Sequence, residues 1–424
     1  MVSAASRIFS KLLHHGFVFS FAKSSVLLAP LLAAYLLGEK SYGDIEWSIS
    51  VALIVGAVVS LGSGGVISYD LLGDNKSGRI SYALRYSLLL GATLSVASVV
   101  ALISGVSNEV VSLILSLCGL YCFQCALSSY MKASGFGAYA SVVESSIYIS
   151  LLVYLGVFYC FSAGLDAYIY SVLVTSLLIS CAVFAISTSR GASGFFLVSE
   201  WLPFLKRGVP IMVSSALAVF LSVSPRFLLG INGDTQAVAE YSVMFRWASI
   251  AIVAHQFVST VFFREIYSAE YKSFEARILI VALAVVILSV VVFFGVLFAQ
   301  DYWDFGGASL KSEYLNLVPF FIVSMGLWSA TASLEGGLHR NRLSFCQLKS
   351  LVFGLMAMLS LYLYFYFNGG VGLKQILLCW VLAYSVTCFC QVYFFKKHMA
   401  DSVVRLLSAL VSLLMIPLLY FLVF

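Results

Sequence analysis

The sequence predicts an all-α polytopic membrane protein with about 12–13 transmembrane helices. Composition is the first reason. Of 424 residues, 62% are hydrophobic and only 10% are charged, and the mean hydropathy is +1.02. Soluble domains carry roughly 45–50% apolar and about 25% charged residues, so these few charges do not suffice to cover a water-facing surface. Run length is the second reason. The apolar residues come in stretches of about 20, the helix length that crosses a hydrocarbon core of roughly 30 Å. A membrane β-barrel would instead show segments of about 10 residues alternating in polarity.

The candidate spans, in order, are 17–37, 45–67, 82–104, 110–131, 141–162, 167–188, 209–230, 241–263, 277–299, 315–336, 346–367, 373–395 and 405–424. Short turn signals separate them: Gly38-Glu39-Lys40-Ser41, Gly73-Asp74-Asn75-Lys76, Ser134-Gly135, Asn232-Gly233-Asp234 and Asn368-Gly369-Gly370. The first run is longer than the 7–15-residue core of a signal peptide and leads into no soluble domain, so it reads as a retained helix. The last run either crosses the bilayer or lies along it. Basic residues set the orientation. With the N-terminus in the cytoplasm, Arg7, Lys11, Lys76, Arg79, Arg85, Lys132, Arg190, Lys206, Arg207, Arg264, Lys272, Arg277, Arg340, Arg342, Lys349, Lys396, Lys397 and Arg405 fall inside. Only Lys40, Lys311 and Lys374 fall in outer loops, as the positive-inside rule requires. The net charge of +5 thus reports topology and no nucleic-acid partner.

The nine cysteines read as small buried hydrophobes. Cys118, Cys122 and Cys125 share a helix face without a histidine, and Cys388 and Cys390 lack a CxxC partner, so no metal site is expected. There is no GxSxG, HExxH, P-loop or strand-linked GxGxxG. Gly62-Ser63-Gly64-Gly65 reads as close helix packing. The longest loop, 189–208, and the shorter ones around it leave no room for a soluble catalytic domain. The expectation is a non-enzyme with no cofactor.

A many-helix chain with short loops reads as a transporter, a class commonly built from internal repeats. Gly16 opens a stretch ending in Leu36-Leu37-Gly38, and Gly208 opens one of equal length ending in Leu228-Leu229-Gly230. Six predicted helices separate them, an even number, so the repeat is parallel. This divides the chain into an N-terminal lobe at 1–200, a C-terminal lobe at 201–398 and an additional helix at 399–424, with two six-helix lobes around a central cavity.

Tyr35-Leu36-Leu37-Gly38-Glu39-Lys40-Ser41-Tyr42-Gly43, followed by an apolar helix and Leu61-Gly62-Ser63-Gly64-Gly65, resembles the opening of polysaccharide-biosynthesis membrane proteins. These are the Wzx-type O-antigen flippases of the MATE-like MOP exporter superfamily. Ser128-Ser129-Tyr130-Met131-Lys132-Ala133-Ser134-Gly135 resembles their helix 4–5 loop, and Arg226-Phe227-Leu228-Leu229-Gly230 through Ala239-Glu240-Tyr241 resembles the helix 7–8 junction. Pro225 stands where such proteins often carry an acidic residue, and thirteen candidate spans depart from the usual twelve or fourteen. The resemblance implies an activity. The protein would move a polyprenyl-pyrophosphate-linked oligosaccharide, an O-antigen or capsule repeat unit, from the inner to the outer leaflet of the bacterial cytoplasmic membrane. Partners would be that substrate, membrane lipids, and a polysaccharide polymerase or other assembly proteins.

Such a substrate needs cationic groups in a polar cavity. Lys23, Arg226 and Arg246 are the candidates, since a charge at membrane depth is a functional hypothesis by default. Snorkelling to the interface is the competing reading for each. Behind Arg226, a stripe of Ser222, Ala218 and Ser215 suits a cavity wall or tight packing, and Pro225 can open the backbone. His255 and Glu144 are candidates for ion coupling, against interhelical hydrogen bonding. Two other classes stay open. A MATE-type small-molecule exporter shares the fold, but its often cationic substrates favour buried carboxylates. A membrane polysaccharide polymerase or ligase would carry a large outer loop.

Overall fold

The computed structural model describes residues 4–72, 79–105, 108–162, 164–189, 198–261, 317–340 and 344–395, with single positions at 263, 291 and 295. The described chain is helical almost throughout. Its elements are α1 (Ala4–Leu37), α2 (Glu39–Val59), α3 (Ser63–Leu72), α4 (Arg79–Ser104), α5 (Glu109–Ala133), α6 (Gly137–Glu144) and α7 (Ser146–Phe161). They continue with α8 (Leu165–Ser189), α9 (Val198–Ile231), α10 (Thr235–Ser249), α11 (Val253–Val261), α12 (Val318–Arg340), α13 (Ser344–Asn368) and α14 (Leu373–Phe395). Among the described residues, eight helices are long and apolar enough to cross a membrane, and the pair α6–α7, bent by 52°, makes a ninth if it is one span. This is a multi-pass membrane protein. Helices are the form open to it, because in hydrocarbon each backbone group must find its partner within the protein. The expected span 405–424 lies outside the described residues, and so does 277–299 but for the single positions 291 and 295.

Three of the expected spans are broken, which corrects the reading of each as one continuous helix. Span 45–67 stops at Val59 and restarts at Ser63, with Leu61 (φ 48°) and Gly62 (φ 67°) in left-handed conformations. Span 141–162 breaks at Ser145, and span 241–263 at a single 3-10 turn, Ile250–Ile252. The expected long loop 189–208 is also shorter, because α9 already begins at Val198 and carries Trp201.

The described chain falls into two compact units, and neither coincides with a sequence half. The first comprises Met1–Leu36, Ser48–Ala216 and Phe257–Ser268. Its centre is α5, which packs on α3, α4, α6 and α8. Small residues let these helices approach, as in many membrane interfaces. A Cβ on Gly119 would meet the Gly91 carbonyl oxygen at 2.9 Å, and one on Gly91 would meet the Phe123 ring at 2.6 Å. Ser98 Oγ donates to the Ser112 carbonyl at 2.7 Å. The α2–α3 break is satisfied internally: Tyr86 Oη donates to the Val59 carbonyl at 2.7 Å, and Ser87 Oγ to Ser63 Oγ at 3.0 Å. Tyr82, Tyr86, Trp201 and Phe204 form an aromatic cluster beside it.

The second unit comprises Leu37–Trp47, Leu217–Gln256 and Ala269–Phe424. Asp234 caps α10, its side chain accepting from Ala237 N at 2.8 Å, which satisfies one of the helix's otherwise unpaired N–H groups. Here α14 packs on α12 and α13. A Cβ on Gly354 would meet Thr387 Oγ1 at 2.0 Å, and Gln391 Nε2 donates to Gln347 Oε1 at 2.6 Å.

Candidate functional site

The densest buried charge cluster among the described residues lies in the second unit. Arg226 on α9 and Arg246 on α10, both expected from the sequence, converge on one carboxylate, Glu46 of α2. Arg226 Nη1 donates to Glu46 Oε2 at 2.7 Å, and Arg246 Nη2 donates to Glu46 Oε1 at 3.0 Å and to Oε2 at 3.3 Å. Tyr42, one turn before Glu46, donates its hydroxyl to Oε1 at 3.2 Å. Glu46 is wholly buried, and both arginines are 4% exposed. The two guanidinium carbons lie over the Phe245 ring, at 5.1 and 5.6 Å from its centroid. Charge-assisted hydrogen bonds of this kind are the strong ones.

Local sequence chemistry explains how Arg226 is held. Pro225 has no N–H, so inside α9 it leaves the carbonyl four residues back, that of Leu221, without its helical donor. The buried Trp380 of α14 supplies one, its indole N–H reaching Leu221 O at 2.7 Å, and Ser224 Oγ donates to the same oxygen at 3.0 Å. Trp380 also meets Phe245 and Tyr241 ring to ring, which fixes the aromatic floor under the arginines. The stripe behind Arg226 is partly self-satisfied, with Ser222 Oγ bonded to the Val219 carbonyl at 2.8 Å.

Lys23 belongs to the first unit and is not part of this cluster. It lies ten residues past Leu13, where the apolar part of α1 begins, about 15 Å along the axis. Its ammonium stands 5.6 Å from the Phe19 ring centroid, and the charges of Glu144 and Lys132 act on it. Glu144 forms an ion pair with Lys132 of α5. It also ends α6, where Gln124 Nε2 donates to its backbone carbonyl at 2.6 Å. His255, buried at the 3-10 break in the second unit, packs edge-on against Trp328 with centroids 5.8 Å apart. The structure thus unites Arg226 with Arg246 in the second unit and pairs Glu144 with Lys132 in the first. Among the described residues no group of three His, Cys, Asp or Glu side chains could hold a metal.

Sequence reasoning missed Glu46, Lys132 and Gln124. For Glu46 a signal existed: it is an acid inside an apolar helix that also places Tyr42 one turn away. Its partners, however, are 180 and 200 residues distant in sequence. A second acid–base pair, the buried Asp70 with the exposed Arg207 at 3.0 Å, joins α3 to α9 within the first unit.

Solved structures share this architecture. An outward-facing multidrug resistance MATE family transporter of the MOP superfamily matches with a TM-score of 0.64 at 16% identity, over 94% of this chain and 96% of that one. The inward-facing conformation of a multidrug resistance MATE family transporter of the MOP superfamily gives 0.57 at 15% identity, over 92% and 95%. The lipid II flippase MurJ, in an inward closed conformation, gives 0.63 at 13% identity, over 95% and 92%. The fold is therefore that of the MATE and MOP transporters. No family model matches the sequence, and no curated protein matches it.

Proposed function

We propose that the chain is a Wzx-type flippase. It carries a polyprenyl-pyrophosphate-linked oligosaccharide from the inner to the outer leaflet of a bacterial cytoplasmic membrane, with its N-terminus in the cytoplasm and no enzymatic step. The lobes 1–200 and 201–398 would rock about a cavity between them. The supporting observation is the sign of the deep charge. In the second unit Arg226 and Arg246 share Glu46, two cations to one carboxylate; in the first, Lys23 stands by the Phe19 ring, and the Lys132–Glu144 and Arg207–Asp70 pairs are each neutral. Such a surplus suits an anionic head group, and arginine grips phosphate through two parallel hydrogen bonds. Pairing with phosphate would offset the desolvation of the cations. Likeness of fold to a lipid II flippase is compatible with a lipid cargo.

A MATE-type exporter is the second reading, favoured by the equal likeness of fold to multidrug transporters. The two separate in one experiment. Arg226→Ala should abolish surface polysaccharide while the protein still inserts at normal levels. Arg226→Lys should keep part of the activity, because the charge survives though the fork does not. Normal polysaccharide from both Arg226→Ala and Lys23→Ala would overturn the flippase reading. Cells that instead retained a cationic dye on loss of the protein would establish the exporter.

A further inference from the structure

We propose a second polar subsite, wholly within the first compact unit, that takes a phosphate-bearing saccharide at the break between α6 and α7. The two helices meet at Ser145 with a bend of 52°. Discontinuous helices in transporters open backbone and side-chain groups to a ligand. Here the group that marks the place is Gln124 of α5, 8% exposed. Its Nε2 donates to the Glu144 carbonyl at the break, at 2.6 Å. Its Oε1 is buried with no hydrogen-bond partner among the described residues. A buried acceptor without a donor costs the desolvation of that group, and a ligand hydroxyl would remove the cost.

The helix end whose carbonyl Gln124 holds also carries an ion pair, Glu144 with Lys132 of α5. Glu144 and Lys132 are paired and partly accessible, with side chains 27% and 20% exposed. Lys23 from α1 feels both and has no ion pair of its own among the described residues. The chemistry of this set selects its ligand. Lys23 and Lys132 call for an anion. Gln124 Oε1 and the Glu144 carboxylate call for hydroxyl donors, which a phosphate dianion does not supply. A neutral sugar satisfies the acceptors and leaves Lys23 unanswered. A bare metal cation would have to displace Lys132 and lie in the field of a second ammonium. A sugar bearing a phosphate at its first carbon satisfies both sets at once. The inference rests on the flippase reading for its biological source, the sugar next to the lipid pyrophosphate, and makes this unit the reader of that sugar.

The test uses the full-length protein in lipid nanodiscs and isothermal titration calorimetry with three soluble probes: glucose 1-phosphate, inorganic phosphate and glucose. Glucose 1-phosphate should bind about tenfold more tightly than inorganic phosphate, a difference of one decade in Kd, and glucose should bind weakest. Gln124→Leu should reduce glucose 1-phosphate to the level of inorganic phosphate, and Lys23→Ala should weaken both phosphates. Lys132→Gln, at the accessible edge, gives the same test without touching the buried amide. Equal binding of glucose 1-phosphate and inorganic phosphate by the wild-type protein would overturn the proposal, as would undiminished binding by both Gln124→Leu and Lys132→Gln. Sugar-phosphate binding by a wild-type protein whose Arg226→Ala and Lys23→Ala forms both make normal surface polysaccharide would sustain the subsite and sink the flippase.

Discussion

A carboxylate shared by two guanidinium groups is asymmetric in what its loss does. Removing either arginine leaves Glu46 with one hydrogen-bonded cation, a balanced buried pair. Removing the carboxylate charge leaves two buried cations, 4% exposed each, without the anion whose charge offsets their desolvation. Breaking a buried pair by removing one partner typically costs about 3–5 kcal/mol. Glu46→Gln, which keeps the shape and deletes the charge, should therefore lower stability more than Arg226→Ala does. The check is the monodisperse fraction and melting temperature of detergent-purified protein, expected in the order wild type, Arg226→Ala, Glu46→Gln. A reversed order would show that Glu46 does not hold the arginines. The same asymmetry explains what a sequence reading finds here. Arg226 and Arg246 stand out as cations in apolar stretches, whereas the group that organises them sits two turns into another helix, and nothing local records that the three meet.

Packing of α2–α3 and α9 is set by glycines at which there is no space for a methyl group. In the first unit, a Cβ on Gly208 would meet the Leu61 carbonyl oxygen at 2.3 Å, and one on Gly62 would meet the Gly208 carbonyl oxygen at 2.5 Å. In the second, a Cβ on Gly43 would meet the Thr235 carbonyl oxygen at 1.9 Å, and one on Gly230 would meet the Trp47 indole at 1.9 Å. Each seam has a buried carboxylate with a basic partner beside it, Asp70 with Arg207 in one and Glu46 with its arginines in the other. Gly16, the sequence counterpart of Gly208, has nothing within 4 Å of an added Cβ. Gly208→Ala should thus destabilise by about 1–3 kcal/mol, because the opposing atom is backbone and does not rotate away, while Gly16→Ala should stay within about 0.5 kcal/mol. Thermal denaturation of the two purified variants measures the difference, and equal melting temperatures would refute the seam. The glycine-rich run 62–65 was legible as close packing, and the structure shows its partner in Gly208 and Ile211. The breaks at Leu61–Gly62 and Ser145 were not legible, because a run of apolar residues stays apolar across a bend and the groups that satisfy the break, Tyr86 and Gln124, come from other helices.

Hydropathy makes the helices readable because crossing hydrocarbon forces each segment to satisfy its own backbone, so the eight described helices long enough to cross could be found one at a time. Which helices share a compact unit was not readable in this way. Both α2 and α9 pass from one unit to the other along their length, and that depends on side-chain contacts far apart in sequence. Sidedness rests on the distribution of Lys and Arg, and it can be tested together with the one span in doubt, the bent pair α6–α7. Single cysteines at Ser104, Ser189 and Asn368, in a protein freed of its native cysteines, report three helix ends that are exposed. From Ser104 to Ser189 the chain passes through α5, the bent pair and α8. If the pair crosses the membrane, those are three crossings and the two cysteines face opposite sides. If the pair enters and leaves on one side, they face the same side. An impermeant maleimide added to intact cells should label Ser104→Cys and Asn368→Cys, and should label Ser189→Cys only after the membrane is opened. Labelling of Ser104→Cys and Ser189→Cys alike in intact cells would make α6–α7 a re-entrant loop and would invert the orientation of every helix after it. Labelling of Ser189→Cys alone would invert the whole chain, and with it the side from which Lys23 and the arginines are reached.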